Sequence, residues 1–172
     1  AAIMHKYDVD AIPHLICGGF SKEETENALI DLHFLGIDNV LALRGDAVKS
    51  EANFRAHPEG HAYAVELINQ VQGMNNGNYF TEGEGQDPTH FCIGAAAYPE
   101  KHFEAMNLET DLQYLKAKVD AGASYLVTQM FFDNQKYFDF VKACRAAGIN
   151  VPIIPGLKPI KSMAHISFLP KF

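Results

Sequence analysis

The chain has 172 residues, of which 48% are hydrophobic and 20% are charged, a composition typical of a globular domain with one sizeable core. Its 21 acidic and 14 basic residues give a formal net charge of -7, and no run of Lys or Arg forms a basic patch. Nucleic acid and anionic membranes are therefore excluded as expected partners, whereas a single phosphate-bearing cofactor remains compatible with this charge. The apolar stretches are strand-sized, too short to span a bilayer.

The cysteines and the N-terminus point to a cytoplasmic location. Cys17, Cys92 and Cys144 are odd in number, far apart and set in apolar surroundings, as buried reduced thiols would be. Residues 1–6 lack the basic region and apolar core of a secretory signal. Both features predict a reducing compartment.

The first predicted elements form a strand, a helix and a second strand. Residues 12–17 are apolar and strand-sized, and Ser21 with Glu24 has the spacing of a capping box, which predicts a helix start. Gly36 is placed to end that helix as a left-handed cap, and the next strand is predicted at 39–43. The apolar positions expected to face inward on this helix are Ala28, Leu29, Leu32 and Leu35.

The same unit recurs later in the chain. Strands are predicted at 91–97, 125–132 and 151–154, with helices capped by Asn107 and Asp133 between them. Gly122 and Gly148 close these two helices. Their inward stripes are expected to be Leu108, Leu112, Leu115 and Val119 on the first, and Tyr137, Phe138, Val141 and Cys144 on the second.

The region between the second and third strands is less regular. A shorter helix is predicted, with Ala64, Val65, Ile68 and Val71 on its inner face. Residues 73–90 are rich in Gly and Asn, and we interpret them as a surface loop or insertion, too polar for a core.

Five strands alternating with helices predict an α/β fold, either an open doubly wound sheet or part of a barrel. Periodicity alone does not choose between the two. Both architectures place functional residues just after the carboxyl ends of their strands, so those positions hold the candidate ligand-binding and catalytic residues. They are unusually polar here and include His14, Arg44, Asp46, residues 98–102, Gln129, Asp133 and residues 155–159.

Each polar position also has a purely structural interpretation. His14 is either a ligand-binding residue or an ordinary core or surface histidine. Arg44 and Asp46 either bind a ligand or form an ion pair that fixes a turn around Gly45. Gln129 lies inside a predicted apolar strand, where an unpaired amide would cost roughly 1–3 kcal/mol, so it needs a partner, either a neighbouring strand residue or a ligand.

Two further groups of residues are candidates by spacing. Asp111, Tyr114 and Lys118 share one flank of a predicted helix, either at the rim of a ligand site or on a solvated face. His57 and His61 are four residues apart, but Pro58 and Gly60 oppose a helix there and no third ligand is placed to complete a tetrahedral site, so no metal is expected. Neither a dinucleotide fingerprint, nor a P-loop, nor a hydrolase nucleophile elbow is present.

Several segments together resemble the methylenetetrahydrofolate reductase family in order and spacing, over nearly the whole chain. The resemblance implies a TIM-type (β/α)8 barrel with FAD lying over the carboxyl ends of the strands. It also implies that residues 1–172 are a single partial barrel domain with about five of the eight strands. The segments that carry it are Pro13-His14-Leu15, residues 41–46 (Leu-Ala-Leu-Arg-Gly-Asp), residues 96–100 with His102, residues 118–123 leading to Thr128-Gln129, and residues 153–156 (Ile-Ile-Pro-Gly).

The resemblance also implies roles for individual residues. Arg44, His102 and Lys118 would oppose the pyrophosphate of FAD. Asp46 would be the catalytic residue, because its charge near the flavin tunes the reduction potential and also faces the folate, while Gln129 would hydrogen-bond the pterin. The full FAD-binding set implied is His14, Arg44, Gly45, Asp46, Tyr63, Ala64, Tyr98, His102, Ala105, Asp111, Tyr114 and Lys118.

The reaction implied is reduction of 5,10-methylenetetrahydrofolate to 5-methyltetrahydrofolate by NADH or NADPH through FAD. The Glu that donates the proton in the family belongs to the first barrel strand, which we expect, with the second and the eighth strands, to lie outside these 172 residues. The chain by itself is therefore expected to be inactive. Family members are oligomeric, which predicts a homo-oligomer.

Two other classes of function remain at this point. Another FAD-binding barrel oxidoreductase, such as a proline dehydrogenase-like enzyme, would bind FAD and ignore folates. A non-catalytic binding module would keep the fold without turnover. Flavin content and folate dependence distinguish the three.

Overall fold

The structure is a computed structural model that describes residues 2–47, 54–81 and 87–168. The strands in this part of the chain are β1 (His14–Ile16), β2 (Asn39–Leu43), β3 (Cys92–Ala97), β4 (Tyr125–Thr128) and β5 (Ile153–Ile154). The helices are α1 (Ala2–Tyr7), α2 (Lys22–Phe34), α3 (Ala64–Asn75), α4 (Leu108–Asp120), α5 (Asn134–Ala146) and α6 (Met163–Phe168).

The five strands form one parallel sheet in the order β1-β2-β3-β4-β5, and α2 to α5 connect successive strands. All four connecting helices pack on the same face, because Leu29, Leu67, Leu115 and Phe140 belong to one core cluster with Val40, Ala42, Ile93, Ala95 and Leu126 of the strands. A doubly wound sheet reverses its strand order and covers both faces. Sequential order with one covered face is instead the arrangement of a (β/α)8-type barrel, of which these strands form an arc.

The opposite face of the sheet carries an interaction across three strands. Tyr125 of β4 lies over Gly94 of β3, and its hydroxyl donates a hydrogen bond to the carbonyl oxygen of Val40 on β2 at 3.2 Å. A Cβ on Gly94 would lie 2.6 Å from the Tyr125 hydroxyl oxygen and closer still to its ring. Glycine at position 94 is therefore what allows the ring to lie flat on the sheet.

The predicted helix caps are confirmed. Ser21 and Glu24 form the reciprocal capping box of α2, with bonds of 2.8 and 3.1 Å. Asn107 caps α4, Asp133 caps α5, and Gly36 adopts the left-handed conformation with φ of +70°. Such caps are encoded within a few residues, which is why local sequence predicts them.

Several predicted boundaries and faces are wrong. The strands predicted at 12–17, 91–97, 125–132 and 151–154 are all shorter. The first is shorter at both ends, 91–97 and 151–154 begin later than predicted, and 125–132 ends early, at Thr128. Leu35 and Leu108 are exposed because they lie at the ends of their helices. Phe138 is also exposed, and Phe140 is the buried aromatic of α5.

The segment 73–90, for which the sequence predicts a surface loop, is tied into the core in its described part. Helix α3 continues through Gly73 to Asn75, whose side chain accepts from Thr89 Oγ1 and from the Phe91 N–H, both at 2.8 Å. Thr89 is 1% exposed. Residues 82–86 lie outside the described residues.

Buried Glu26 anchors the same segment from α2. Glu26 is 1% exposed. Its carboxylate accepts hydrogen bonds from the backbone N–H groups of Phe80 and Thr81. Nothing in the local sequence predicts a buried acid there. Helices α1 and α6 are not predicted by the sequence either, because each has only six residues, and α1 buries none of them.

No helix in the described ranges combines the length and apolarity needed to cross a membrane. Cys17 and Cys144 are buried free thiols, whereas Cys92 is partly buried. Burial raises the pKa of both Cys17 and Cys144 to about 11. Each is then ionised to only about one part in a thousand at pH 8.

We accordingly expect Cys17 and Cys144 to resist alkylation by iodoacetamide at pH 8 in the native protein and to react fully in urea. Peptide mass spectrometry would measure labelling at each cysteine. Rapid native labelling of Cys144 would contradict its burial against the core.

Candidate functional site

The candidate site lies at the carboxyl ends of the strands. Because parallel strands end at one edge of the sheet, Arg44 after β2, Tyr98 after β3 and Gln129 after β4 lie along that edge. The loop from 101 to 107 leads from β3 to α4 and contributes His102.

Arg44 is held by a bidentate ion pair. Its Nη1 and Nη2 lie 2.5 and 2.8 Å from the two carboxylate oxygens of Glu104, and Phe54 places its ring centroid 5.2 Å from the guanidinium carbon. The Glu104 hydrogen bond raises the pKa of Arg44, and Arg44 in turn lowers the pKa of Glu104. Arg44 therefore pairs with Glu104 rather than with Asp46, the partner that the sequence suggested.

His102 is held by two ring contacts and two hydrogen bonds. Its ring meets Tyr98 edge-on at 4.6 Å and stacks on Phe103 at 4.7 Å between centroids. Its backbone N–H donates to Asp111 Oδ2 at 2.9 Å, and its Nδ1 accepts from the Glu104 N–H at 3.2 Å. Burial lowers the pKa of His102, which favours the neutral ring. Because Nδ1 accepts the Glu104 N–H, the proton of the neutral ring lies on Nε2, which is a hydrogen-bond donor.

Lys118 brings a second cation to the same edge from α4. Its Nζ donates to the carbonyl oxygen of Ala96 at 3.1 Å, near the end of β3. Burial lowers the pKa of Lys118, nearby Asp111 raises it, and Arg44 lowers it further. The cost of burial therefore exceeds what Asp111 compensates, so this ammonium lacks a full counter-charge.

Tyr98 is a neutral donor between these groups. Burial raises its pKa most, and the charges of Asp46 and Asp111 raise it further. Its phenol therefore stays protonated at neutral pH.

The remaining residues of the predicted FAD set differ in their relation to this cluster. Ala64 and Ala105 are buried, and Gly45 has φ of +89°, where an added Cβ would lie 3.4 Å from the Cβ of Ile16. Tyr63 and Asp46 are exposed but lie near enough to shift the pKa values of Arg44 and Tyr98 respectively. His14 and Tyr114 are exposed, and no described contact joins them to the cluster.

The prediction that Gln129 lies inside a strand is wrong. Strand β4 ends at Thr128, and Gln129 is exposed just beyond it, with its N–H on the Ala97 carbonyl oxygen at 2.8 Å. Its amide oxygen accepts from the Met130 N–H at 3.0 Å. Because the residue is exposed, the amide carries no burial cost.

Sequence reasoning missed Glu104 and Phe54, and it included Lys101 only within the polar residues 98–102, without a role. Lys101 adopts φ of +80° and its Nζ donates to the carbonyl oxygens of His102 and Ala105, which closes the loop on itself. Glu104 carried a weak signal, as an acid two residues after a candidate ligand. Phe54 carried none.

The two histidines considered for metal binding have other partners. His61 Nε2 lies 2.6 Å from Gln70 Oε1, and His57 Nδ1 accepts from the Glu59 N–H. In ranges 2–47, 54–81 and 87–168 no three His, Cys, Asp or Glu side chains converge as metal ligands would.

Arg44, His102 and Lys118 give this edge two cations and a neutral donor in a chain whose net charge is -7. Arg44 lowers the pKa of both His102 and Lys118, and Lys118 also lowers the pKa of His102, so the three share one electrostatic environment. That donor set suits a phosphate-bearing ligand. The fold defines a protein of the (β/α) barrel class, and this polar cluster lies at the edge where such barrels bind their ligands.

Comparison with known proteins identifies the family. The sequence model of the methylenetetrahydrofolate reductase family matches residues 1–172, so the chain belongs to this family. It is 38% identical over 160 residues to methylenetetrahydrofolate reductase 1 of Schizosaccharomyces pombe, covering 93% of this chain and 24% of that protein. It is 36% identical to the 5,10-methylenetetrahydrofolate reductase of Salmonella typhimurium, covering 93% of this chain and 47% of that protein.

The chain thus spans about a quarter of the length of its fungal relative and about half of its bacterial one. Among solved structures, a Clostridium thermocellum protein described as binding two copies of 5-methyl-5,6,7,8-tetrahydrofolic acid superposes with a TM-score of 0.60 at 18% identity, covering 99% of this chain and 53% of that one. That likeness confirms the fold. Family membership disfavours the proline dehydrogenase-like alternative.

Proposed function

We propose that this chain forms the FAD-binding part of an enzyme that reduces 5,10-methylenetetrahydrofolate to 5-methyltetrahydrofolate with NADH or NADPH. The observation that carries the proposal is the cluster of Arg44, His102 and Lys118 at the carboxyl edge of a barrel arc, in a chain of this family. Relatives named for NADH and for NADPH both occur, in Arabidopsis thaliana and Caenorhabditis elegans. The choice of nicotinamide is therefore left open within the proposal.

The residues present fit FAD by the chemistry of their donors. Arg44, Lys118 and the Nε2–H of His102 would hold the diphosphate, and the protonated Tyr98 would donate a further hydrogen bond. Bound FAD supplies hydride transfer between nicotinamide and folate. Exposed Asp46 would place its carboxylate against positive charge on the folate, and the free amide N–H groups of Gln129 would donate to the pterin.

The compartment and assembly belong to the proposal as well. The three cysteines are free thiols in the structure, which suits a reducing cytoplasm. We further propose a homo-oligomer, as the family resemblance implies. On the acidic net charge of -7 we propose that it binds neither nucleic acid nor anionic membranes.

The test uses the product of the natural gene. We expect it to purify with a flavin absorbance spectrum, to lose that absorbance on anaerobic addition of NADH or NADPH, and to regain it on addition of 5,10-methylenetetrahydrofolate with 5-methyltetrahydrofolate formed. Reoxidation by menadione but not by the folate would support a different flavin barrel. A colourless protein that cannot be reconstituted with FAD would refute the proposal.

A further inference from the structure

Glu104 links two loops that the proposed cofactor site needs in fixed relation. Arg44 follows β2, whereas Glu104 lies 60 residues later in the connection from β3 to α4. Their bidentate pair, at 2.5 and 2.8 Å, fixes the plane of the guanidinium as well as its position. The ring of Phe54 covers the guanidinium, so its side chain has little freedom left.

Glu104 is itself anchored. Its backbone N–H donates to His102 Nδ1 at 3.2 Å, and the His102 ring is stacked on Phe103. The Lys101 ammonium group donates hydrogen bonds to the carbonyl oxygens of His102 and Ala105, which lie on either side of Glu104 in the chain. The carboxylate therefore extends from a loop whose conformation is set by neighbouring bonds.

The pair leaves Arg44 able to bind a ligand. A guanidinium has five N–H groups, and the Glu104 carboxylate takes one from each Nη. Three donors remain, held in a defined direction. We propose that Glu104 is a positioning residue of the cofactor site, which orients Arg44 so that these remaining donors meet the diphosphate of FAD; this rests on the proposed function.

A positioning role differs from a stabilising one. The side chains of Arg44 and Glu104 are 22% and 46% exposed, and ion pairs this accessible to water contribute little to stability. Loss of the Glu104 charge should therefore leave the melting temperature nearly unchanged. Its effect should appear in the binding of ligands that carry phosphate.

The experiment compares FAD with riboflavin, which lacks phosphate, on flavin-free protein from the natural gene. Glu104→Gln should weaken FAD about tenfold while riboflavin binds as in the wild type, as expected if only contacts to phosphate are lost. Glu104→Asp, which keeps the charge, should recover part of the FAD affinity. Glu109→Gln, an exposed acid in the first turn of α4, is the matched control and should change neither ligand.

A double-mutant cycle completes the test. Arg44→Gln combined with Glu104→Gln should bind FAD no more weakly than Arg44→Gln alone, because Glu104 acts through Arg44. The inference is overturned if Glu104→Gln matches Glu109→Gln, if FAD and riboflavin weaken equally, or if FAD binds more tightly. Failure of wild-type protein to bind FAD would instead refute the proposed function.

Discussion

Lys118→Met is expected to raise the dissociation constant for FAD by about 30- to 150-fold. Lys118 contributes a charged donor to the proposed diphosphate site, and hydrogen bonds to charged groups are worth about 2 to 3 kcal/mol. The ammonium has one described hydrogen bond, to the carbonyl oxygen of Ala96, so further N–H donors are available for a ligand. Equilibrium titration of flavin-free protein with FAD would measure the change.

The same substitution should not destabilise the fold, and this separates binding from folding. Burial lowers the Lys118 pKa below its ordinary 10.5, so the folded state disfavours the charged amine. That penalty is fully present below the folded-state pKa and disappears as pH rises through 10.5. Lys118→Met should therefore be as stable as wild type or more stable near pH 7, with the difference closing toward pH 10.5.

Lys116→Met is the matched control, two residues away on the same helix. Lys116 pairs with Asp120 on a more accessible flank of α4, and its loss should leave FAD affinity unchanged. Equal weakening of FAD by both substitutions would show that Lys118 acts only through the general charge of the helix. A marked loss of stability in Lys118→Met would contradict the assigned cost of burying its charge.

The sequence predicted the elements whose determinants are local. The capping box of Ser21 and Glu24, the cap at Asn107 and the left-handed Gly36 are fixed by neighbouring residues, and all three have the predicted geometry. Periodicity left the strand order open, because α/β barrels and doubly wound sheets share the same alternation. The single covered face of the sheet resolved that choice.

The errors arose where contacts distant in sequence decide the outcome. Glu26 is buried because it meets the N–H groups of Phe80 and Thr81, more than 50 residues away. Glu104 forms its ion pair with Arg44, which lies 60 residues earlier in the chain. The apolar run that continues to residue 132 predicts Gln129 inside β4, although pairing with β3 and β5 ends before it. Hydrophobicity shows what can be buried, whereas the register of the neighbouring strands decides where a strand ends.

Gly156→Ala is expected to destabilise the protein by about 3 kcal/mol, because it overpacks backbone against backbone. A Cβ at position 156 would overlap the carbonyl oxygen of Thr128 and lie 3.1 Å from its carbonyl carbon. Those atoms belong to the end of β4 and cannot rotate away as a side chain would. The Gly156 N–H also donates to Thr128 Oγ1 at 2.9 Å, which keeps the loop after β5 in contact with the end of β4.

Two further variants separate the contributions to this effect. Gly36→Ala introduces a methyl group where no atom lies within 4 Å and φ is +70°, so it should cost only about 1 kcal/mol of backbone strain. Thr128→Val removes the hydroxyl acceptor but leaves the close approach intact, and should cost about 1 to 2 kcal/mol for the unsatisfied N–H. Denaturant unfolding of the three variants and the wild type would give the ranking.

The consequence for function follows from what lies beside the contact. Gln129, the proposed pterin ligand, is bonded through its N–H to Ala97 and directly follows Thr128. A shift of the Thr128 carbonyl to accommodate the added methyl group would move the Gln129 amide as well, so folate affinity should fall together with stability in Gly156→Ala, whereas Gly36→Ala should retain it. If Gly156→Ala costs less than about 1 kcal/mol of stability, the loop after β5 must move freely away from β4. The contact between Gly156 and Thr128 would then not hold Gln129 in place.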